Sequence, residues 1–311
     1  MTRLSNCFII SLSENARTDK HMKKLSFIFI ILAGILWGTS TLFVHWMAPM
    51  GFSSLQMTFV RALVTFLAMA VYVFIKDRGL FKLRLKELLL FICSGISYFG
   101  TGCCYYLSMQ MTSASTAVVL MYTAPILVMI YSVIFLGEKL TPGKLVSVMG
   151  MILGCFFVSG IIGGIKYDFW GILIGLLSGI SYSAYNIFTK IQMRNGSNPI
   201  KAVLYSFLAA TVLSAPVSEP LAMGSIVNGE PLAILLMAGL GICTCVLPYF
   251  MYTVALKHLS AGTASAMGII EPMAATVLSV VFLDERLTIP ALCGIILILA
   301  SVYLLGRSEA E

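Results

Sequence analysis

Charge is what this sequence has least of. Lys, Arg, Asp and Glu make up only 11% of its 311 residues, 59% are hydrophobic, and mean hydropathy is +0.97. Soluble domains carry about 25% charged residues, so an aqueous surface cannot be built from this chain and its solvent is lipid. Histidine is scarcer still, with three in all, and no Cys/His grouping has metal-ligand spacing. Of the eight cysteines, Cys93, Cys103, Cys104, Cys155, Cys243, Cys245 and Cys293 lie within apolar runs, a pattern of reduced, membrane-buried side chains with no disulfide framework. HExxH, a buried aspartate pair and a Ser/His arrangement at membrane depth are all missing, which argues against an intramembrane enzyme acting on lipid-linked substrates. Gly143-Lys144 lacks the spacing and the Ser/Thr of a phosphate loop, so no nucleotide motor is expected, and no cofactor or metal either. The first apolar run is too long for a cleavable signal and has no small-residue cleavage site after it.

What the chain has is long apolar runs. Ten meet the length that a bilayer core of about 30 Å demands: 25–47, 54–75, 86–107, 113–136, 144–162, 170–191, 202–217, 232–254, 262–283 and 289–306, the seventh and tenth being the shortest. With the N-terminus inside, 17 Lys and Arg residues fall in cytoplasmic segments, whereas only Lys166 and Arg286 fall outside. This satisfies the positive-inside rule. The pI near 9.0 therefore reflects orientation and gives no reason to invoke nucleic acid. A multi-pass plasma-membrane protein with both termini cytoplasmic is predicted, with residues 218–231 external.

"FLGEKLT" at 135–141 returns 147 residues later as "FLDERLT" at 282–288. Aligning 113–145 with 260–292 without gaps gives 13 identities in 33 positions, and "AGILWG" at 33–38 matches "IGLLSG" at 174–179. The chain is thus read as two five-helix units, residues 22–163 and 164–308. Because five is odd, the second enters the membrane from the opposite side, so the fold class is all-α with inverted repeats. That construction is typical of secondary transporters. Residues 1–21 match nothing in the repeat and precede "MKKLSF", a plausible membrane-protein start; they are expected to be a dispensable polar extension.

Several strings together resemble the EamA-type, ten-helix branch of the drug/metabolite transporter superfamily. They are "LWG" (36–38), "FVRAL" (59–63), "YYLSMQMTSASTAVVLMYTAPI" (105–126), "FLGEKLT", "SGISYSAYNIFTK" (178–190) and "EPMAATVLSVVFLDERLT" (271–288). The resemblance runs over nearly the whole chain from Met22. It implies alternating-access transport of small metabolites through a cavity between two four-helix groups, with the last helix of each repeat peripheral. It implies no particular substrate; amino-acid-like or drug-like solutes and efflux are the expectation, with a passive channel as the other class. Protons are a further candidate partner.

Candidate pathway residues follow from depth. Glu271 lies near the midplane, where ionisable residues are rare and usually functional, and Pro272 beside it has a repeat counterpart in Pro125. Matching helix breaks in two halves point to a transport site, although both prolines also suit a packing kink. Arg61, about 10 Å into its span, has four roles open to it: snorkelling outward, pairing with Glu271, holding an anionic group, or bridging helix ends. Trp37, Tyr98, Tyr122, Tyr182 and Tyr249 should face protein or cavity, because a hydroxyl in lipid is costly; Ser178 and Asn186 join them. Glu138 and Glu285 in the repeated string suit either a tight helix–loop–helix or a carboxylate gate latch.

Overall fold

The computed structural model describes residues 22–160 and 168–310. The N-terminal extension, Lys166 and the junction at 163/164 lie outside the described residues. Among these residues, nine helices are long and apolar enough to cross a bilayer, and a shorter apolar helix completes the set. We label the ten in chain order: α1 Met22–Met50, α2 Ser54–Lys76, α3 Leu85–Met111, α4 Ala114–Leu136, α5 Pro142–Val158, α6 Phe169–Arg194, α7 Pro199–Ser218, α8 Leu232–Ala255, α9 Ala261–Phe282 and α10 Ile289–Ser308. The seventh and tenth are 20 residues each, and the shortest is α5 with 17. Hydropathy trimmed α7 because its first turn is polar. Asn198 caps that turn through the Ile200 amide, and Pro199 stands where no backbone N–H is needed.

The repeated string builds the same corner twice. α4 closes at Gly137 with φ +65°, and the chain leaves α9 with Asp284 at φ +55°. Gly and Asp are among the residues that tolerate this left-handed turn. Thr141 Oγ1 then accepts the Lys144 amide and Thr288 Oγ1 the Ala291 amide, each at 3.3 Å, starting α5 and α10. The loops after α2, α4, α6 and α8 lie on one side and carry Arg78, Lys82, Lys139 and Lys257 among others; we call this the basic face.

Small residues set how closely the repeats approach. A Cβ on Gly34 would stand 2.8 Å from Ile270 Cβ, and one on Gly38 2.7 Å from Ala274 Cβ and 2.8 Å from the Ala275 amide, so α1 lies directly on α9. In the counterpart, Gly179 of α6 faces Thr123 Oγ1 and the Leu120 carbonyl of α4. The most extensive contacts pair α3 with α6, α5 with α10 and α2 with α7. The α5–α10 seam runs through Gly154 and Gly294, each close to the other's carbonyl. Small-xxx-small faces of this kind let backbones touch where lipid offers no hydrophobic drive. Gly38→Val inserts a branched side chain against fixed backbone, so a destabilisation of about 1–3 kcal/mol is expected. A melting temperature in detergent equal to that of the parent would show that α1 can move away from α9.

Candidate functional site

Where α1, α2, α3, α4, α6, α8 and α9 meet, the protein encloses a cavity of about 690 Å³. It opens on the face opposite the basic loops, between Ser54, Ala114, Ser159 and Glu285, and ends at Trp37, Tyr182 and Glu271. The size falls in the usual range for small-molecule sites. Its lining follows helical periodicity: Ser54, Thr58 and Arg61 on α2, Tyr98, Thr101 and Tyr105 on α3, Glu271, Ala275 and Ser279 on α9.

Prolines place the two charged groups. Pro272 cannot donate to the carbonyl four residues earlier, which is that of Gly268. α9 breaks there into Ala261–Met267 and Ile270–Phe282; the Gly268 carbonyl accepts the Glu271 amide at 2.9 Å, and the Tyr122 hydroxyl lies 3.2 Å from the same oxygen. The same hydroxyl lies 2.9 Å from Glu271 Oε2, and Glu271 itself occupies the first turn of the second half-helix, where a negative charge is favoured. α4 divides at the repeat-equivalent point, into Ala114–Met121 and Ala124–Leu136, with Pro125 in the first turn of its second half. In α8, Pro248 likewise withholds a donor from the Thr244 carbonyl. That segment adopts a π-turn over Ile242–Val246, and Arg61 Nη2 takes the freed oxygen at 3.3 Å. A sequence reading centred on Glu271-Pro272 misses Pro248, although the same i−4 rule applied to every mid-span proline finds it.

Arg61 and Glu271 share the cavity, yet no ion pair within 4 Å joins them. Arg61 Nε is buried without a hydrogen-bond partner, and so is Trp37 Nε1 on the cavity wall, where Trp37 is 3% exposed. Burying two donors without partners is costly. Trp37 packs edge-on against Tyr249 at 5.2 Å, and Tyr249 against Tyr98 at 5.5 Å and Tyr185 at 5.5 Å. The floor of the cavity is therefore aromatic, with hydroxyls at its rim.

Of the residues singled out from sequence, the cavity gathers Trp37, Arg61, Tyr98, Tyr122, Tyr182, Tyr249, Glu271, Pro272 and Glu285. Others stand apart. Ser178 bonds the Gly175 carbonyl of its own helix, and Pro125 is buried in α4. Asn186 donates to the Tyr182 carbonyl and accepts from the Tyr252 hydroxyl, below the cavity floor. Glu138 lies on the basic face, where its Oε1 accepts the Ala261 amide at 2.9 Å. Thr58, Thr101, Thr276 and Ser279, overlooked as small hydroxyls, line the cavity at helical spacing from Arg61, Tyr98 and Glu271.

Beneath the floor the chain is sealed. Lys190, buried, donates to the carbonyls of Leu256 and Leu259 at 2.8 and 2.5 Å, neutralising the C-terminal end of α8. Arg194 reaches the Leu136 carbonyl at the end of α4, 2.9 Å away. The molecule is a membrane bundle with one open and one closed end.

Comparison with known proteins agrees with this architecture. A protein of Archaeoglobus fulgidus named an uncharacterized transporter is 26% identical over 278 residues, covering 89% of this chain and 95% of the relative. The threonine/homoserine exporter RhtA of Salmonella typhimurium is 28% identical over 210 residues, 65% of this chain and 66% of that one. A crystal structure with 17% identity superposes with a TM-score of 0.75 over 92% of this chain and 99% of its own, a likeness of fold alone. The EamA-like transporter family matches twice, over residues 24–160 and 169–307, once for each half of the bundle. Two inverted five-helix repeats around one cavity, each matched by the same family, place this chain in the EamA-like transporter family.

Proposed function

We propose that the protein is a secondary transporter that exchanges small organic solutes across the plasma membrane by alternating access. The observation that carries this reading is a cavity that reaches Glu271 from one face only and is sealed beneath by Lys190, Glu138 and Asn186. Inverted repeats supply two packings of near-equal energy, with the site between them. On the positive-inside rule the basic face is cytoplasmic, so both termini are inside and the open end is external. Residues 22–163 and 164–308 act as the two repeats, and the first 21 residues are outside the transport unit.

Arg61 offers a cation and Glu271 an anion to one cavity, whose lining also holds the packed rings of Trp37, Tyr249 and Tyr98. That set suits a solute carrying both a carboxylate and an ammonium group. The solutes in the name of RhtA, threonine and homoserine, have both, and we extend amino-acid-like efflux to this chain on that basis. Trp37, Tyr98, Tyr122, Tyr182 and Tyr249 shape the site, and Glu271 is the group through which protons couple if the cycle uses them. Purified protein in liposomes loaded with unlabelled amino acid is expected to take up labelled amino acid with saturation and with stimulation from the loaded side. Linear, unstimulated flux would identify a passive channel instead.

A further inference from the structure

Glu138 and Glu285 occupy the same place in the two repeats, yet the structure treats them differently. Glu138 is half-buried, and its carboxylate crosses from one repeat to the other to accept the amide of Ala261, the first residue of α9, at 2.9 Å. The counterpart of Ala261 is Ala114, the first residue of α4. Glu285 is exposed and lines the same open cavity as Ala114, and no hydrogen bond or ion pair to either the Glu285 carboxylate or the Ala114 amide occurs among the described residues.

The two helix starts are otherwise built alike. Ser113 Oγ accepts the Thr116 amide at 3.1 Å, and Ser260 Oγ accepts the Thr263 amide at 3.2 Å. These caps cover the third amide of each helix and leave the first for another acceptor. At the closed end Glu138 is that acceptor. Three more positions repeat the contrast, alongside the glutamates. Met129, Ser132, Glu138 and Gly262 surround a remnant space of about 10 Å³ at the closed end. Their counterparts, Thr276, Ser279, Glu285 and Ser115, line the 690 Å³ cavity. One vestibule is collapsed and the other open, on the same set of positions. A carboxylate that served only its own turn would bond within it; Glu138 instead ties residues 123 apart.

We infer that Glu138 and Glu285 are alternating latches: as Glu138 releases the Ala261 amide, Glu285 accepts the Ala114 amide and seals the end that is now open. Each carboxylate meets the positive end of a helix from the other repeat. Each latch therefore stabilises one conformation and not the other, which is the condition for biasing an equilibrium. This inference rests on the alternating-access reading above, but it concerns accessibility and needs no substrate.

The test uses full-length protein in lipid nanodiscs, where both faces meet solvent, with the native cysteines replaced. Ser132→Cys reports the closed vestibule and Ser279→Cys the open one, each through its rate of reaction with a soluble maleimide. Glu138→Ala is expected to raise labelling at position 132 and lower it at 279, by about fivefold or more for a lost helix-end carboxylate contact. Glu285→Ala should do the reverse, and because Glu285 is exposed and unbonded here it leaves the observed fold intact even if Glu138→Ala proves unstable. The double replacement should return both rates towards those of the parent. Unchanged rates in Glu285→Ala, shifts of the same sign in both single variants, or a double variant further from the parent than either would overturn the latches. Opposed shifts in a protein that exchanges no solute would keep the latches and remove the transport reading.

Discussion

Glu271→Gln is expected to insert and fold like the parent and to lower solute exchange by roughly ten- to a hundredfold, the equivalent of about 1.5–3 kcal/mol for a hydrogen bond to a charged group. Glutamine keeps the volume and an oxygen for the Tyr122 hydroxyl, which now lies 2.9 Å from the carboxylate. The charge is what disappears. The repeat counterpart of Glu271 is Ala124, so the bundle does not require a carboxylate at this break. An ionised side chain at this depth costs about 3 kcal/mol on translocon scales. Arg61 provides the control. Were the two a structural ion pair, Glu271→Gln would leave a buried cation unpaired and destabilise the protein, and adding Arg61→Gln would restore it. With no ion pair between them and Arg61 bonded to the Thr244 carbonyl, the double variant should instead stay inactive and gain no stability over Glu271→Gln. Measuring exchange, its pH dependence and the melting temperature of all three variants separates the cases. Full exchange with unchanged pH dependence in Glu271→Gln would remove this carboxylate from the mechanism.

Lys190→Met is expected to act on the opposite end and through stability first. The Lys190 ammonium stands 2.8 and 2.5 Å from the carbonyls of Leu256 and Leu259, within a side chain that is 9% exposed. Methionine fills the volume but cannot donate. Two carbonyls at the end of α8 are left facing a dry interface, and each hydrogen bond to a charged group contributes about 1.5–3 kcal/mol. The closed end should therefore loosen, with a melting temperature lower by several degrees and faster maleimide reaction at Ser132→Cys. Arginine at 190 keeps the charge and should recover part of the loss. A Lys190→Met protein as stable as the parent, with its closed end still protected, would mean that the lysine contributes nothing to the seal.

Sequence by itself determined the number and approximate limits of the helices and the two repeats, and it singled out Glu271 by its place within a span. These are properties of single segments: an apolar run long enough for a bilayer, a string returning at a fixed offset, an ionisable residue a countable number of turns into a span. The structure adds that Gly137 and Asp284 stand at one left-handed turn, which both residue types tolerate. Only the tertiary structure decided which residues meet. Asn186 and Tyr182 are one turn apart on α6, yet Tyr182 lines the cavity and Asn186 lies beneath its floor, bonded to Tyr252. Whether Arg61 pairs with Glu271 was open in the sequence. It was settled by Pro248, which frees a carbonyl on α8 that the guanidinium takes instead. Which of the two repeated glutamates is engaged could not be read from strings that are nearly identical. That choice belongs to the conformation, in which contacts between residues more than 100 positions apart close one vestibule and leave its twin open. Local periodicity carries no record of such contacts, because they depend on how two rigid repeats are docked and not on how either one is made.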